Sequence, residues 1–531
     1  MLAMFRAAVL AFAKAQEGAL ILFSLFLFVL MAMLGGVAID VLKYETTRTQ
    51  LSQTLDRCTL MAASMTQRLN PQSVVEDCVA KAGLADALHS VEVVDAMSSR
   101  DVKAVAKAET NPFFMHMIGI DRFDASAQSR AIQTVTNVEI VLVLDVSGSM
   151  GGAKIANLRQ AASNFVETML EGDHERRVSI SVVPYNAQVN LGPTLRGAFN
   201  ATHQHGVTDI NCLELPASVF ASPAIPRNTA LPMMAWSDHA YGTLFSGYVA
   251  PTDTTYARPN TANNACRPTA ANIVRMASQN VDELQGHING LQAGGATSIV
   301  LGMKWGAALL DPAARSIFDD YIAAGQMAPN LAGRPFDYDD DETMKVIVLM
   351  TDGEHVAHDR INDAYKSGLS PIWRSTGDGR YSIRHASRPG PNKFYVPHLN
   401  IWTPTAWTNT ATPAVRQDWR QIWAELRLSY VAWQFYGRPN GTTAYYDAIA
   451  QMRSIYASAP AMDSMLQTTC NQVKNEGVIV YGIAFEAPAI GQAQIAGCAS
   501  SPQHYYQAAG AEIGAAFDSI ASNLSMLRLT Q

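Results

Sequence analysis

Two runs constrain this chain most. NVEIVLVLDVSGSM carries a nearly continuous apolar stretch, Val138–Leu144, and MKVIVLMTDGE carries another, Val346–Met350. Short apolar runs of this kind read as strands buried on both faces of a parallel sheet. Each ends in oxygen donors: Asp145, Ser147 and Ser149 after the first, Asp352 after the second. Thr297 in GGAT lies between them in sequence, also at the start of a helical stretch. Ligands of open parallel sheets bind beyond the carboxyl ends of the strands. The donors are all oxygen, which suits Mg²⁺, Mn²⁺ or Ca²⁺, and a short donor set leaves coordination positions open.

The rest of the chain repeats the β–α rhythm. Gly152–Glu171 places Ile155, Leu158, Ala162, Phe165 and Met169 on one helical face. RVSISVV alternates at Val178, Ile180 and Val182. A helix is predicted near Ala270–Leu291, and another over Ser298–Leu310. Met462–Lys474 reads as a helix before the strand Val478–Phe485, and Ile513, Phe517, Ile520, Leu524 and Leu527 form a closing helical stripe. Alternating β and α segments imply a doubly wound, mostly parallel α/β sheet.

The pattern DxSxS, a distant Thr and a distant Asp resembles the metal ion-dependent adhesion site of the von Willebrand factor type A domain. Asp145, Ser147, Ser149, Thr297 and Asp352 match it residue by residue. The resemblance implies a divalent cation, Mg²⁺ first, with Mn²⁺ or Ca²⁺ as alternatives. It also implies a partner protein whose Asp or Glu completes the coordination.

At 531 residues the chain has room for several domains. Gly18–Ile39 is uncharged and long enough to span a bilayer as a helix. Arg6 and Lys14 precede it, so the leader 1–17 is expected in the cytoplasm and the bulk of the chain outside it. A cleaved signal peptide ending at Gly36-Val37-Ala38 is the alternative, although the apolar run is longer than the usual apolar region of such a peptide. Behind the span, Leu51, Leu55, Cys58, Ala62, Met65 and Leu69 form an apolar helical seam. Ser73–Ala87 reads as a second helix, and Val102–Glu109 and Arg122–Ala131 as strands around FFMHMIG.

This N-terminal layout, with the anchor ending in GGVAID, resembles TadG-like proteins of the tight-adherence (Tad, Flp-type) pilus machinery. GVIVYGIAFE, GCASSPQHYYQA and SMLRLTQ are similar to the C-terminal end of such A-domain proteins. The resemblance covers about 1–185 and 290–531, less the insertions into the A-type core. It implies a pilin-like α+β module over 40–132 and an A-type domain over 137–531, in the periplasm of a bacterial inner-membrane protein. A pilus or secretion component is the implied partner. Prepilin processing expects Glu five residues after Gly18, where Phe23 stands, so cleavage and polymerisation are not expected.

Two insertions interrupt the A-type core, at about 187–269 and 355–460. Segments this long are functional or carry their own structure. The second holds Trp373, Trp402, Trp407, Trp419, Trp423 and Trp433, six of the chain's eight tryptophans. These read as a small core, with partner binding as the second use of Trp. Because the insertion follows Asp352, it is expected to overhang the site.

Six cysteines form no CxxC motif and no zinc spacing. In an exported chain they are expected to pair within local units: Cys58–Cys78, Cys212–Cys266 and Cys470–Cys498. Cys58 also fits the apolar seam as a free thiol. Net charge is −7 without a basic block, which argues against nucleic acid as a partner. Neither a GxxxxGK[ST] loop, a GxSxG elbow nor an HExxH helix occurs. His355 and His358 follow TDGE and are expected to be solvated rather than ligands, and Asp337–Glu342 (DYDDDE) reads as a solvated turn. Two function classes remain: a metal-dependent binding protein, which the resemblance favours, and a hydrolase using the same cation as a Lewis acid.

Overall fold

The computed structural model describes residues 17–64, 69–95, 99–134, 137–171, 173, 175–207, 209–236, 246–260, 264–340 and 342–530. The leader before Glu17, Met65 of the seam, Asp341 and the side chain of Leu527 lie outside them. The chain divides into two compact units, Met1–Val135 and Thr136–Thr530.

The first unit is built on one helix, α1 (Glu17–Ala63). Among the described residues it is the one helix long and apolar enough to cross a membrane. Its apolar half is exposed, whereas Leu51, Leu55, Cys58 and Ala62 in its second half are buried. They pack on an antiparallel sheet of β1 (Leu88–Asp95), β2 (Ser99–Thr110) and β3 (Phe123–Thr134). Small residues on that sheet, Ala104, Ala106 and Ala125, let the helix lie close. A second helix, α2 (Pro71–Lys81), starts at Asn70, whose side chain accepts the Ser73 N–H. A disulfide joins Cys58 on α1 to Cys78 on α2.

Two expectations fail here. The helix expected over Ser73–Ala87 stops at Lys81, because Gly83 adopts φ +77° and the Leu84 N–H turns back to the Val79 carbonyl. The strand β1 follows from Leu88, where no strand is expected from sequence. Leu69 falls beyond the end of α1 and is exposed rather than part of the seam.

The second unit centres on a six-stranded sheet. Its strands are β4 (Asn137–Asp145), β5 (Val178–Tyr185), β6 (Arg275–Ser278), β7 (Thr343–Thr351), β8 (Ile479–Phe485) and β9 (Tyr505–Ala508). The spatial order is β9-β8-β7-β4-β5-β6. All neighbours are parallel except the edge pair β5 and β6. Helices packed on it include α3 (Ala153–Glu171), α4 (Val281–Gly290), α5 (Ile299–Leu310), α6 (Ala459–Asn475), α7 (Ala489–Cys498) and α8 (Glu512–Thr530).

Strand alternation sorts them onto two faces. Ile140, Leu142, Leu144, Val346 and Val348 pack with α3, α4 and α8. Val141, Val143, Ile347 and Leu349 pack with α5, α6 and α7. The central strands are therefore buried on both sides, which is why they read as nearly unbroken apolar runs. The helix expected over Ala270–Leu291 is corrected to a short strand, β6, followed by α4. Arg275–Ser278 pairs on the edge of β5, a long-range contact that its own spacing does not encode. A disulfide joins Cys470 on α6 to Cys498 on α7.

The first insertion has a small core of Ala187, Ile210, Met234 and the Cys212–Cys266 disulfide. The second carries a five-stranded antiparallel sheet over Leu369–Asp418 and a core around Trp419, Trp423, Tyr430 and Phe435. Trp419 and Trp423 are buried and stacked, and the other four tryptophans are half-buried. Ala235 and Ala257 of the first insertion join this core, so the two insertions pack on each other.

Candidate functional site

The site forms where β4 and β7, adjacent in the sheet, both end. Asp145 is the last residue of β4 and is fully buried. Its Oδ1 accepts the Ser147 N–H at 2.7 Å, and its Oδ2 accepts the Thr351 hydroxyl at 2.7 Å. Asp352 follows β7 directly. Its Oδ1 accepts the Ser149 hydroxyl at 2.6 Å, with the Ser147 hydroxyl at 3.5 Å. The two serine hydroxyls are 3.0 Å apart. The Asp145 carboxyl is pushed up to about 6, first by burial and then by the charge of Asp352.

The Thr297 loop is fastened to this cluster through the main chain. Gly148 N–H donates to the Gly295 carbonyl and Gly294 N–H to the Val146 carbonyl, each at 2.8 Å. Asn186, directly after β5, holds the same loop, its side-chain amide donating to the Gly294 carbonyl and its main-chain carbonyl accepting the Ser298 N–H. The Thr297 hydroxyl lies against Gly353, the residue after Asp352. Thus Asp145, Ser147, Ser149 and Asp352 form one hydrogen-bonded cluster, and Thr297 borders it through Gly353.

Two further residues reach the cluster. Lys154, in the first turn of α3, donates to Asp352 Oδ2 at 2.9 Å and stands 3.5 Å from Glu486. Glu486 follows β8 at φ +52°, which turns the chain at the same end of the sheet. Neither was singled out from sequence. Lys154 in GGAKIAN looks like any solvated lysine, and only the convergence of the strand ends places it on Asp352. The side chain of Arg267, from the first insertion, packs on Gly294 and, together with Asn186, on Gly295. The second insertion, expected to overhang the site, touches it at its start, where the Val356 N–H donates to the Thr297 carbonyl at 2.9 Å, while its core gathers on residues of the first insertion.

No group of three or more His, Cys, Asp or Glu side chains suited to a metal ion occurs among the described residues. The donors gathered here are two carboxylates and neighbouring hydroxyls, a hard-oxygen set. His355 and His358 are buried, not solvated as expected. His355 Nε2 accepts the Val300 N–H at 2.9 Å, and its Nδ1 faces Asp463 at 2.7 Å, so the proton sits on Nδ1. His358 contacts Gln188 at 2.8 Å and stacks on Tyr456.

Burial lowers His358 to about 4. The unfolded imidazole takes up a proton near 6.5, roughly, while the folded one resists it. Stability is therefore lost as pH falls from about 6.5 toward 4, on the order of 3 kcal/mol from this group. His205 and His287 are lowered to about 4 for the same reason. Melting temperatures across this window are expected to fall less steeply in His358→Gln than in wild type. Parallel slopes would rule His358 out as a source of the acid sensitivity.

Comparison with known families locates one segment. Residues 18–65 match the family described as putative Flp pilus-assembly TadE/G-like. The match covers the apolar half of α1 and the seam behind it. No curated protein matches the chain. Among solved structures, the vWF domain of the type V pili tip protein Mfa5 from Porphyromonas gingivalis is similar at 13% identity. The alignment covers 75% of this chain and 98% of that one, with a TM-score of 0.33. The pilus adhesin SpaC from Lactobacillus rhamnosus GG is similar at 13% identity, over 82% of this chain and 34% of that one, with a TM-score of 0.30. The pilus adhesin RrgA from Streptococcus pneumoniae is similar at 10% identity, over 82% of this chain and 49% of that one, with a TM-score of 0.29. The chain thus spans about a third of SpaC and half of RrgA.

Proposed function

We propose that this chain is a membrane-anchored, protein-binding component of Tad-type pilus assembly. In this reading α1 spans the bacterial inner membrane through Gly18–Ile39, and the second unit is an A-type adhesion domain facing the periplasm. The first unit is then the pilin-like module behind the anchor. Asp145, Ser147, Ser149, Thr297 and Asp352 hold a divalent cation, Mg²⁺ first and Mn²⁺ or Ca²⁺ next. A carboxylate of a pilus or secretion component completes the coordination.

One observation carries the reading: two carboxylates and two hydroxyls converge at the paired ends of β4 and β7. Burying Asp145 against Asp352 is unfavourable unless positive charge offsets it. Lys154 offsets part, on the far oxygen of Asp352. A hard divalent cation bound by the remaining oxygens would offset the rest and still attract an outside carboxylate. The hydrolase alternative needs a general base beside the cation. His355 and His358 are committed to Val300, Asp463 and Gln188 within the fold.

The test is cross-linked capture from membranes, comparing wild type with Asp145→Ala. A pilus-machinery partner is expected with wild type in the presence of Mg²⁺, and its recovery is expected to drop when EDTA is added or Asp145 is replaced. Equal recovery in all three conditions would overturn the proposal.

A further inference from the structure

We propose that the loop between β2 and β3, Phe113–Ile118, rests in the headgroup–acyl boundary of the membrane that α1 crosses. The inference builds on the anchor reading above and concerns the first unit alone. The loop is fastened to the helix where the apolar run ends. Asp40, the first residue after Ile39, is buried, and its carboxylate accepts the N–H groups of Phe113, Phe114 and Met115, each at 2.8 Å. Hydrogen bonds to a carboxylate are the stronger kind, and three of them fix the loop's height along α1.

Gly36 marks the same level. A Cβ placed there would fall 2.4 Å from the Phe114 ring, so the glycine is the notch that the ring fills. With a rise of 1.5 Å per residue, Gly36 lies about 4.5 Å inside the end of the span. The loop therefore sits at the depth of the last helical turn, not in the solvent beyond it. Its apolar side chains are largely exposed: Phe113 is 68% exposed, Met117 72% and Ile118 51%. Water is the unfavourable neighbour for such a patch, and the acyl boundary is continuous with the surface of α1.

The charge pattern agrees. Lys43, one turn further along α1, donates to the Asn111 carbonyl at 3.1 Å, and its ammonium is 4.4 Å from the centre of the Phe113 ring. A cation one turn above an apolar patch is placed at the level of lipid phosphates. The motif GGVAID thus has a physical reading, with the glycine receiving the loop and the aspartate holding it.

A photoreactive amino acid tests this in the full chain, reconstituted in vesicles of phosphatidylethanolamine and phosphatidylglycerol. It is placed singly at Phe26, Met117 or Val94. Phe26 lies within the apolar half of α1 and reports the anchor. Val94 is exposed and pairs with Asp101, nine strand positions from Thr110, so roughly 30 Å from the loop. Lipid adducts are expected at Phe26 and Met117, several-fold above the yield at Val94. Adducts at Phe26 with a Met117 yield equal to that of Val94 would overturn the loop's placement and leave the anchor standing. Absence of adducts at Phe26 would overturn the anchor, and the loop's placement with it. Adducts from Met117 to protein instead of lipid would make the loop a protein-docking surface and refute the proposal.

Discussion

Mg²⁺ is expected to raise the melting temperature of the wild-type chain and to leave that of Asp145→Ala unchanged. Each oxygen of Asp145 already accepts one hydrogen bond, from Ser147 or from Thr351. The charge of a second carboxylate, Asp352, acts on it in a buried setting. A divalent cation converts that repulsion into two attractions, and only the folded chain brings the donors together. An ion present at a hundred times its dissociation constant stabilises the fold by about 2.7 kcal/mol. Ser149→Ala removes one hydroxyl and is expected to weaken the shift without abolishing it. Asp145→Ala removes a charge and is expected to abolish the shift, while leaving the Thr351 hydroxyl and the Ser147 N–H without their acceptor. Melts with Mg²⁺ and with EDTA, backed by titration calorimetry, measure this. An equal rise in wild type and Asp145→Ala would remove the ion from these residues.

The parts of this site that could be read from sequence are those set by local pattern. Val138–Leu144 and Val346–Met350 are strands because burial on both faces favours apolar side chains at nearly every position, and an aspartate stands at the end of the first and directly after the second. The helix expected over Gly152–Glu171 is found as Ala153–Glu171, and Met462–Lys474 lies within Ala459–Asn475. What could not be read depends on distant chain. Arg275–Ser278 is a strand only because β5 offers it an edge. Lys154 meets Asp352 only when helix and strand ends converge. His355 is buried because the N-terminus of α5 supplies the Val300 N–H and α6 supplies Asp463. One signal was present and passed over. Glu139 and Lys345 each interrupt an otherwise apolar strand near its start, and the register sets them side by side.

That pair leads to the largest stability effect expected of a single substitution. Glu139 is buried at the opposite end of β4 from Asp145. Its Oε2 accepts the Lys345 ammonium at 2.6 Å, and its Oε1 accepts the Phe336 N–H at 3.1 Å and the Arg334 guanidinium at 3.4 Å. Lys345 also donates to the Leu310 carbonyl, and Arg334 to the Arg177 carbonyl. These carbonyls keep both cations in place when the carboxylate is gone. Glu139→Ala therefore leaves two buried positive charges without the carboxylate they share, with only the more distant charges of Asp311 and Asp173 acting on them, and is expected to cost about 3–5 kcal/mol. That is a large share of the roughly 5–15 kcal/mol that holds a domain folded. Glu139→Gln keeps one acceptor oxygen, enough for Lys345 or for the Phe336 N–H but not for both, and is expected to cost less than Glu139→Ala. Because about 20 Å of strand separates Glu139 from Asp145, the Mg²⁺-induced shift is expected to survive in both variants wherever they remain folded. Urea unfolding of the three chains, with and without Mg²⁺, measures both effects. A loss near or below about 1 kcal/mol in Glu139→Ala, the size of an exposed ion pair, would mean that water reaches the two cations and that the cluster is not buried in solution.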